Sequence, residues 1–210
     1  MPEPKLDTKE RILDAAEQLF AELGFSGTSL RAVTSSAGVN LAAVNYHFGS
    51  KEALLHAVLA RRLGPVNEER LKWLERLETE AGDRPPAVRE ILRTLFAPAL
   101  MALPESVARG IAGRIYAEPP SIAGPLMREL FAEVTQRYLA AIERALPDVP
   151  SDELKWRFNF VIGAMVQVLS GAAELAPIPG GLGPHDEQSV LQHLLDFAEA
   201  GMCAPAGGAR

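Results

Sequence analysis

The residues with the most obvious catalytic or metal-binding chemistry in this sequence are its histidines and its one cysteine. His56, His185 and His193 have neither the spacing of an H-E-x-x-H pair nor that of another set of metal ligands, so no metal site is predicted. Cys203 lacks a histidine partner in a recognisable arrangement for nucleophilic catalysis. The glycine-rich stretch 179–184 lacks the lysine and the preceding strand of a phosphate-binding loop. The sequence therefore predicts neither an enzyme nor a bound cofactor.

A different kind of chemistry is indicated by two short predicted helices that meet at Gly38. Thr34, four residues before this glycine, is small enough for the two helices to cross closely, and Val44 can pin the second helix to the first. A helix of about eight residues is about 12 Å long, which is about the width of the major groove of DNA. Arg31 lies outside the contact between the helices and is free to face a phosphate group. The spacing therefore predicts a helix-turn-helix.

The elements around this motif are all predicted to be helices, because apolar residues recur at helical spacing and no run alternates as a strand would. The first four helices, with their predicted capping residues, are 7–23 (Asp7, in a capping box with Glu10), 29–37 (Thr28), 41–48 (Asn40) and 51–62 (Ser50). Gly64-Pro65 predicts a boundary, since proline inside a continuing helix forces a kink. Later helical patterns cover about 66–81, 86–101, 105–117, 121–146, 151–175 and 186–203.

Length and composition are those of an ordinary globular protein, with 210 residues of which 48% are hydrophobic and 23% charged. A single cysteine, a charged N-terminus and a longest charge-free helical run of only 16 residues (158–173) predict a cytoplasmic protein without a membrane span. The net charge of −6 arises outside residues 1–63, which hold seven basic and seven acidic side chains. Bulk charge therefore does not predict a nucleic-acid partner, and the prediction of one depends on geometry.

The helix-turn-helix segment resembles that of the TetR-type repressors. The resemblance is carried by the runs TSLRAV (28–33), AGVN (37–40) and YHFGSKEALL (46–55). It covers residues 8–63 strongly and the remainder only in the order of the helices. The run 39–48 also resembles a subgroup that includes fatty-acid-responsive regulators of pseudomonads. Two features differ from the commonest family pattern, namely Thr34 in place of alanine and an apolar start, 41–43, to the recognition helix.

The resemblance implies an all-α regulator with two domains and a flexible tail. A three-helix DNA-binding domain covers 1–63, with its motif at about 29–48, and a larger domain for ligand binding and dimerisation covers 64–204. The tail is 205–210. The implied partners are a second copy of the chain, a small-molecule effector and a pseudo-palindromic operator in double-stranded DNA.

The resemblance also implies which side chains contact DNA. Asn45 would read an adenine edge, directly or through water, and the apolar residues 41–43 would contact thymine methyl groups. Tyr46, His47, Thr28 and Lys51 would contact phosphate groups, whereas Arg31 equally fits a surface arginine without a contact. The full predicted set is Thr28, Arg31, Asn40, Leu41, Ala42, Ala43, Asn45, Tyr46, His47 and Lys51.

Two later helices carry apolar side chains on more of their surface than one internal contact needs. Two-fold pairing of these helices into a four-helix bundle predicts a homodimer, and the alternative is that both are internal core helices. The predicted interface comprises Phe158, Ile162, Met165, Val166, Leu169, Val190, Leu191, Leu194, Leu195, Phe197, Ala198 and Met202.

A third set of residues is predicted to line an effector pocket. Arg114 follows Ile111 at helical spacing, so it can point inward, where it needs an anion such as the head of a fatty acid or acyl-CoA. The alternative is that Arg114 reaches the surface or pairs with Glu118. For the methionines and aromatic residues of this set the alternative is an ordinary core position. The predicted pocket residues are Phe96, Met101, Arg109, Ile111, Arg114, Ile115, Met127, Phe131 and Trp156.

Three interpretations of the whole chain are therefore compared. The main one is a dimeric repressor that a small apolar or amphipathic ligand releases from its operator. The others are a helical enzyme that binds small molecules, which the lack of an acid–base cluster disfavours, and a dimeric helical adaptor that binds protein.

Overall fold

The computed structural model of the chain describes residues 7–102, 118–170, 178–179, 181–182 and 186–205. Its helices are α1 (Thr8–Gly27), α2 (Leu30–Ala37), α3 (Leu41–Phe48), α4 (Lys51–Ala81), α5 (Val88–Ala102), α6 (Pro120–Ala145), α7 (Ser151–Leu169) and α8 (Glu187–Cys203). No strand occurs among these residues, and the predicted all-α fold is confirmed. The predicted helix 105–117, the end of the predicted helix 151–175 and residues 206–210 of the predicted tail lie outside the described residues.

The described residues form two compact units. The first contains 7–64 together with 118–130, and the second contains 65–102, 131–170 and 186–205. The division at Gly64 lies one residue from the predicted domain boundary, but the sequence assigned 118–130 to the second domain. These residues belong to the first unit because Leu126 is buried in its core and Ile122, Met127 and Leu130 pack against that core.

The predicted helix break at Gly64-Pro65 is wrong, because α4 runs unbroken from Lys51 to Ala81. A proline inside a helix removes one backbone hydrogen bond and kinks the helix without having to end it. The helix has a buried side chain before the proline, Leu59, and another after it, Val66.

The first unit is built on an apolar core to which α1, α2, α3 and the first part of α4 all contribute. Two left-handed glycines allow the chain to turn sharply between its helices: Gly24, with φ 72°, kinks α1 near its end, and Gly38, with φ 62°, ends α2. The buried core residues are Ile12, Leu13, Ala15, Ala16, Phe20, Phe25, Val33, Ala37, Val44, Leu54, Leu55, Val58, Leu59 and Leu126.

The helix starts of the first unit are capped by side chains, with two differences from the sequence prediction. Asn40 Oδ1 accepts the Ala43 N–H at 2.9 Å, and Ser50 Oγ accepts the Ala53 N–H at 3.0 Å, as predicted. The cap of α2 is Ser29, whose Oγ accepts the Ala32 N–H at 3.1 Å, and not Thr28. Asp7 occupies the N-cap position of α1 but makes no side-chain capping bond.

The second unit is held by a larger apolar core in which α5 and α8 pack against each other and α7 packs against both. A group of polar side chains is buried in the same unit: Asn67, Arg70, Thr94, Tyr138 and Arg157. Arg157 donates to the carbonyl oxygens of Met202 and Ala204 at 2.8 and 2.7 Å, so it caps the C-terminal end of α8.

Candidate nucleic-acid interface

The turn between α2 and α3 has the geometry of a helix-turn-helix. Gly38 adopts the left-handed conformation, and the Val39 N–H reaches back to the Thr34 carbonyl at 3.0 Å. Thr34 of α2 is buried, and Val44 is fully buried on the inner side of α3. The small residue, the turn glycine and the apolar pin therefore take the positions that their spacing predicted.

The side of α3 opposite Val44 is open to solvent. Leu41 is 42% exposed and Tyr46 is 86% exposed. Ala42 and Asn45 are also exposed, whereas Ala43 and His47 are half-buried. An exposed tyrosine and leucine on a helix of eight residues form an apolar and hydrogen-bonding surface of the size that fits a major groove.

The aromatic rings of neighbouring residues at the end of α3 are in contact. The ring of His47 contacts that of Tyr46 edge-on, with centroids 5.1 Å apart, and lies 6.2 Å from that of Phe48. Because Tyr46 is 86% exposed, its hydroxyl is open to an acceptor such as a phosphate oxygen.

Lys51 begins α4, directly after the aromatic end of α3. Its ammonium group lies 4.2 Å from the centroid of the Phe25 ring, which is a cation–π contact. The start of a helix carries a partial positive charge that adds to that of the lysine. Lys51 and the start of α4 therefore supply two sources of positive potential shortly after the end of α3 along the chain.

One predicted DNA contact is excluded by burial. Thr28 is only 2% exposed, and its hydroxyl lies within hydrogen-bond distance of the Gly24 and Leu19 carbonyl oxygens, at 2.8 and 3.1 Å. The side chain fills the junction between α1 and α2 and has no face left for a phosphate group. Arg31 is exposed on α2, and Asn40 is exposed with its oxygen engaged in the cap of α3.

Two positioning contacts in the first unit were missed by sequence reasoning. The guanidinium of Arg11 donates to the carbonyl oxygens of Ala37 and Gly38, the latter at 2.9 Å, and so braces the turn of the motif from α1. Glu118 accepts hydrogen bonds from the Phe25 N–H and the Ser26 hydroxyl, both at 2.8 Å. Neither contact could be found by spacing, since the partners are 26 to 93 residues apart.

An ion-pair network joins α1 to α4 within the same unit. Glu17 accepts from both Arg61 and Arg62, and Arg61 also pairs with Asp14 at 2.8 Å and with Glu10 at 3.2 Å. Burial raises the pKa of Glu17, but the hydrogen bonds and charges of the two arginines outweigh burial and hold this pKa below its ordinary value. The network ties α4, the helix that follows α3, to α1.

The residues of the predicted effector pocket that the structure describes are divided between the two units. Phe96 is fully buried in the core of the second unit, whereas Met101 and Trp156 are 70% and 62% exposed. Met127 packs against the core of the first unit, and Phe131 is half-buried in the second. The remaining predicted pocket residues, Arg109, Ile111, Arg114 and Ile115, lie outside the described residues.

The residues of the predicted dimer interface are divided between the core and the surface of the second unit. Six of its residues belong to the core of the second unit because α7 and α8 turn their strongest apolar stripes inward: Phe158, Met165, Leu194, Leu195, Ala198 and Met202. Ile162, Val166, Leu169, Val190 and Leu191 are half-buried. Phe197, which the sequence placed in the interface, is 64% exposed, and α7 also exposes Trp156 and Phe160, each 62% exposed.

Neither a membrane span nor a metal site is found in the described part of the chain. None of its helices is long and apolar enough to cross a bilayer. No group of three or more histidine, cysteine, aspartate or glutamate side chains is arranged there to hold a metal ion.

Comparisons with known proteins agree with this geometry along most of the chain. The family profile described as "Bacterial regulatory proteins, tetR family" matches residues 12–58, and the profile "Tetracyclin repressor-like, C-terminal domain" matches residues 93–201. The second match covers more than half of the chain. Together the two profiles cover the helix-turn-helix and most of the second unit.

The curated relatives are similar over the helix-turn-helix region. The probable HTH-type transcriptional regulator YttP of Bacillus subtilis is 41% identical over 56 residues, which are 27% of this chain and 27% of that protein. The HTH-type transcriptional regulator SrpR of Pseudomonas putida is 42% identical over 60 residues, 29% of this chain and 28% of that one. The matched stretch therefore spans little more than a quarter of the length of these relatives.

Solved structures share the fold over almost the whole chain. AmtR of Mycobacterium smegmatis has a TM-score of 0.61 and 22% identity, with 94% of this chain and 88% of that chain covered. The TetR family regulator PfmR of Thermus thermophilus has a TM-score of 0.56 and 18% identity, with 94% and 100% covered.

Proposed function

This chain belongs to the TetR family of bacterial transcriptional regulators, and from that premise we propose that α3 reads operator DNA and that the protein acts as a repressor. The observation that carries the proposal is the open side of α3, where Leu41, Ala42, Asn45 and Tyr46 are all exposed on a capped helix of eight residues. Members of this family are transcriptional regulators and not enzymes.

Each exposed side chain of this surface has a chemistry that suits one part of a DNA duplex. The amide of Asn45 can form two hydrogen bonds to an adenine edge, and Leu41 and Ala42 can contact thymine methyl groups. Tyr46, His47 and Lys51 can contact phosphate groups, which hold the helix in register without reading sequence. Thr28, being buried, is not part of the proposal.

The test is binding to a duplex that the wild-type protein selects from a random-sequence library. We expect Asn45→Ala to relax the preference at one base pair, at a cost of about 1–3 kcal/mol for the selected duplex. Lys51→Ala should weaken binding to selected and scrambled duplexes alike and lower the salt slope by about one. Lys72→Ala is the matched control, since Lys72 is an exposed lysine of the same helix, paired with Glu69, outside the first unit. Normal binding by both Asn45→Ala and Lys51→Ala would refute the assignment of α3.

We propose that the protein binds DNA as a homodimer formed by the outward sides of α7 and α8. The support is the exposure of three aromatic side chains, Trp156, Phe160 and Phe197, of which the first two have ring centroids 6.0 Å apart. Gly163, exposed one turn after Phe160, leaves room for a partner helix. Sedimentation should show a monomer for Phe160→Glu and a dimer for Lys155→Glu, a surface change on the same helix; a dimeric Phe160→Glu protein would contradict the proposal.

We propose that a small amphipathic ligand controls DNA binding, with fatty acids and their acyl-CoA thioesters as the class to test. The support is the resemblance of residues 39–48 to regulators that respond to fatty acids. By linkage, a ligand lowers DNA affinity tenfold only if it prefers the DNA-incompetent form by about 1.4 kcal/mol. A titration of the protein–duplex complex with acyl-CoA and with free coenzyme A separates an acyl effect from a headgroup effect. No response to any acyl compound removes this ligand class and leaves the DNA-binding proposal intact.

A further inference from the structure

The backbone between the kink in α1 and the start of α2 donates hydrogen bonds to the carboxylate of Glu118, which is distant in sequence. Glu118 Oε1 accepts the Phe25 N–H at 2.8 Å and the Ser26 N–H at 3.4 Å, while Oε2 accepts the Ser26 hydroxyl at 2.8 Å. A Cβ atom at Gly24 would lie 3.0 Å from the same Oε1, so the carboxylate also sits close against a glycine that has φ 72°. Glu118 therefore binds the backbone at the point where α1 bends.

Phe25, whose backbone N–H donates to Glu118, also forms the cation–π contact with Lys51. The Phe25 ring is buried against Phe20, with centroids 6.0 Å apart, and the Lys51 ammonium lies 4.2 Å from its centroid. A cation–π contact depends on where the ring lies. The position of the Lys51 ammonium thus depends on the same turn that the carboxylate holds.

We infer that Glu118 is a positioning residue for DNA binding: it fixes the turn 24–26, which seats the Phe25 ring under Lys51 and so holds the lysine ammonium where it meets a DNA phosphate. The inference rests on the proposed phosphate contact of Lys51. Glu118 lies within residues 93–201, which match the C-terminal family profile, and not within the matched DNA-binding profile. A residue outside the DNA-binding profile thus sets the strength of a DNA contact.

The sign of the effect distinguishes positioning from plain electrostatics. Removing a carboxylate near a surface that binds phosphate lowers the repulsion, and by charge alone this tightens DNA binding. Removing a positioning group has the opposite result, since the Lys51 ammonium is then no longer held where it meets a phosphate group and that contact is lost. We expect Glu118→Ala to bind the selected duplex about fivefold more weakly, the effect of losing about one net hydrogen bond.

The experiment measures duplex affinity over a range of salt concentrations for four variants. Glu118→Ala and Lys51→Ala should each lower the salt slope by about one, because each loses the same phosphate contact. The double variant should be no weaker than Lys51→Ala alone, which shows that Glu118 acts through Lys51. Glu129→Ala is the matched control: Glu129 is an exposed carboxylate of α6 in the same unit, 3.4 Å from His56. Its salt slope should be that of the wild type.

Two further measurements separate positioning from loss of folding. Glu118→Gln keeps an oxygen for the Phe25 N–H but presents an amide to the Ser26 hydroxyl, so it should fall between wild type and alanine. Thermal unfolding should show each variant folded at the assay temperature, and if Glu118→Ala is not, Glu118→Gln alone carries the test. An unchanged or tighter affinity for Glu118→Ala or Glu118→Gln, with Lys51→Ala weakened, overturns the inference and leaves the proposed function standing. Normal binding by Lys51→Ala overturns both the inference and the proposed phosphate contact.

Discussion

The two units of this protein place their polar groups differently. The first has capping side chains at its helix starts, Ser29, Asn40 and Ser50, and exposes Asn45 and Tyr46 on α3, although the Thr28 hydroxyl is buried. The second buries polar groups inside an apolar core, where the Tyr138 hydroxyl lies 3.0 Å from both Thr94 Oγ1 and the Arg70 carbonyl. Polar groups at an edge remain available to a ligand as large as DNA, whereas buried ones fix the packing of the unit that contains them.

The largest effect should come from a charge placed on the inward side of α8. Leu194 is 5% exposed in the core of the second unit and Phe197, three residues later, is 64% exposed. We expect Leu194→Glu to cost at least about 4 kcal/mol, since it buries an unpaired charge in an apolar core. Phe197→Glu should cost less, since Phe197 lies on the outward side of α8 and a charge there weakens only the proposed dimer contact.

Urea unfolding followed by tryptophan fluorescence measures this difference, because both tryptophans of the chain, Trp73 and Trp156, are in the second unit. A larger loss for Phe197→Glu than for Leu194→Glu would mean that the inward and outward sides of α8 have been exchanged. A folded, monomeric Leu194→Glu protein would support the interface that the sequence alone predicted.

The orientation of α7 and α8 could not be predicted from the pattern of apolar residues. Apolar spacing identified α7 and α8 as helices, but a helix with apolar residues on several sides does not indicate which side meets the core. That choice depends on α5, and the contact between α5 and α8 joins residues about a hundred positions apart, as Arg89 does with Glu199 at 2.8 Å. Spacing measures local periodicity only, so it cannot rank two apolar sides.

The helix-turn-helix could be predicted because its determinants are local. Gly38 supplies a left-handed conformation, Asn40 caps the next helix, and Val44 follows at a fixed spacing, all within seven residues. The contacts of Arg11 and Glu118 belong to the same unit yet could not be predicted, since each joins a side chain to a backbone far along the chain. Thr28 was misassigned because a threonine beside a helix start fits a cap and a buried junction equally well in sequence.

A smaller effect is expected on the stability of the first unit in acid. Glu17 has a pKa held below its ordinary value of 4.5 in the folded state, where burial opposes but does not cancel the effect of Arg61 and Arg62. Its contribution to stability is therefore present above about pH 4.5 and is lost as the pH falls through the folded-state pKa. Glu17→Gln should cost about 2 kcal/mol at neutral pH, the contribution of hydrogen bonds to charged groups.

Circular dichroism of Glu17→Gln across acid pH is the appropriate measurement. The variant should lose less stability than the wild type between neutral pH and pH 3, because the titrating group is gone. Glu22→Gln is the matched control on α1, since Glu22 is exposed and accepts only from Gln18, at 3.1 Å, among the described contacts. Identical acid profiles for Glu17→Gln and the wild type would show that this network does not stabilise the first unit.

The second unit should respond to alkali instead. Burial raises the pKa of Tyr138 to about 12, against the opposing influence of Thr94 and Arg70, from an ordinary value of 10.0. The folded form therefore retains its proton longer than the unfolded form, and stability falls as the pH rises from about 10 to about 12. Tyr138→Phe should cost about 1.5 kcal/mol at neutral pH, since two buried partners lose a hydrogen bond.

The alkaline test compares urea unfolding of wild type and Tyr138→Phe at neutral pH and above pH 10. The difference between the two proteins should shrink at high pH, because only the wild type loses the contribution of a buried neutral tyrosine. A constant difference across this range would indicate that the Tyr138 hydroxyl ionises equally in both states, and so is not buried as the second unit places it.

The smallest expected effect tests whether the contrast between edge and interior holds within the first unit itself, at two neighbouring hydroxyls. Ser29→Ala removes the cap of α2 and should cost about 1 kcal/mol, with the exposed side of the helix otherwise unchanged. Thr28→Ser keeps the hydroxyl that faces the Leu19 and Gly24 carbonyl oxygens and removes one buried methyl group, at a cost of about 0.8 kcal/mol. The two losses are similar in size but differ in kind, and operator binding separates them. Since Thr28 has no face toward DNA, Thr28→Ser should change duplex affinity no more than the loss of stability requires, with an unaltered salt slope. A reduced salt slope for Thr28→Ser would return this residue to the phosphate contacts and place the α1–α2 junction at the DNA surface rather than in the core.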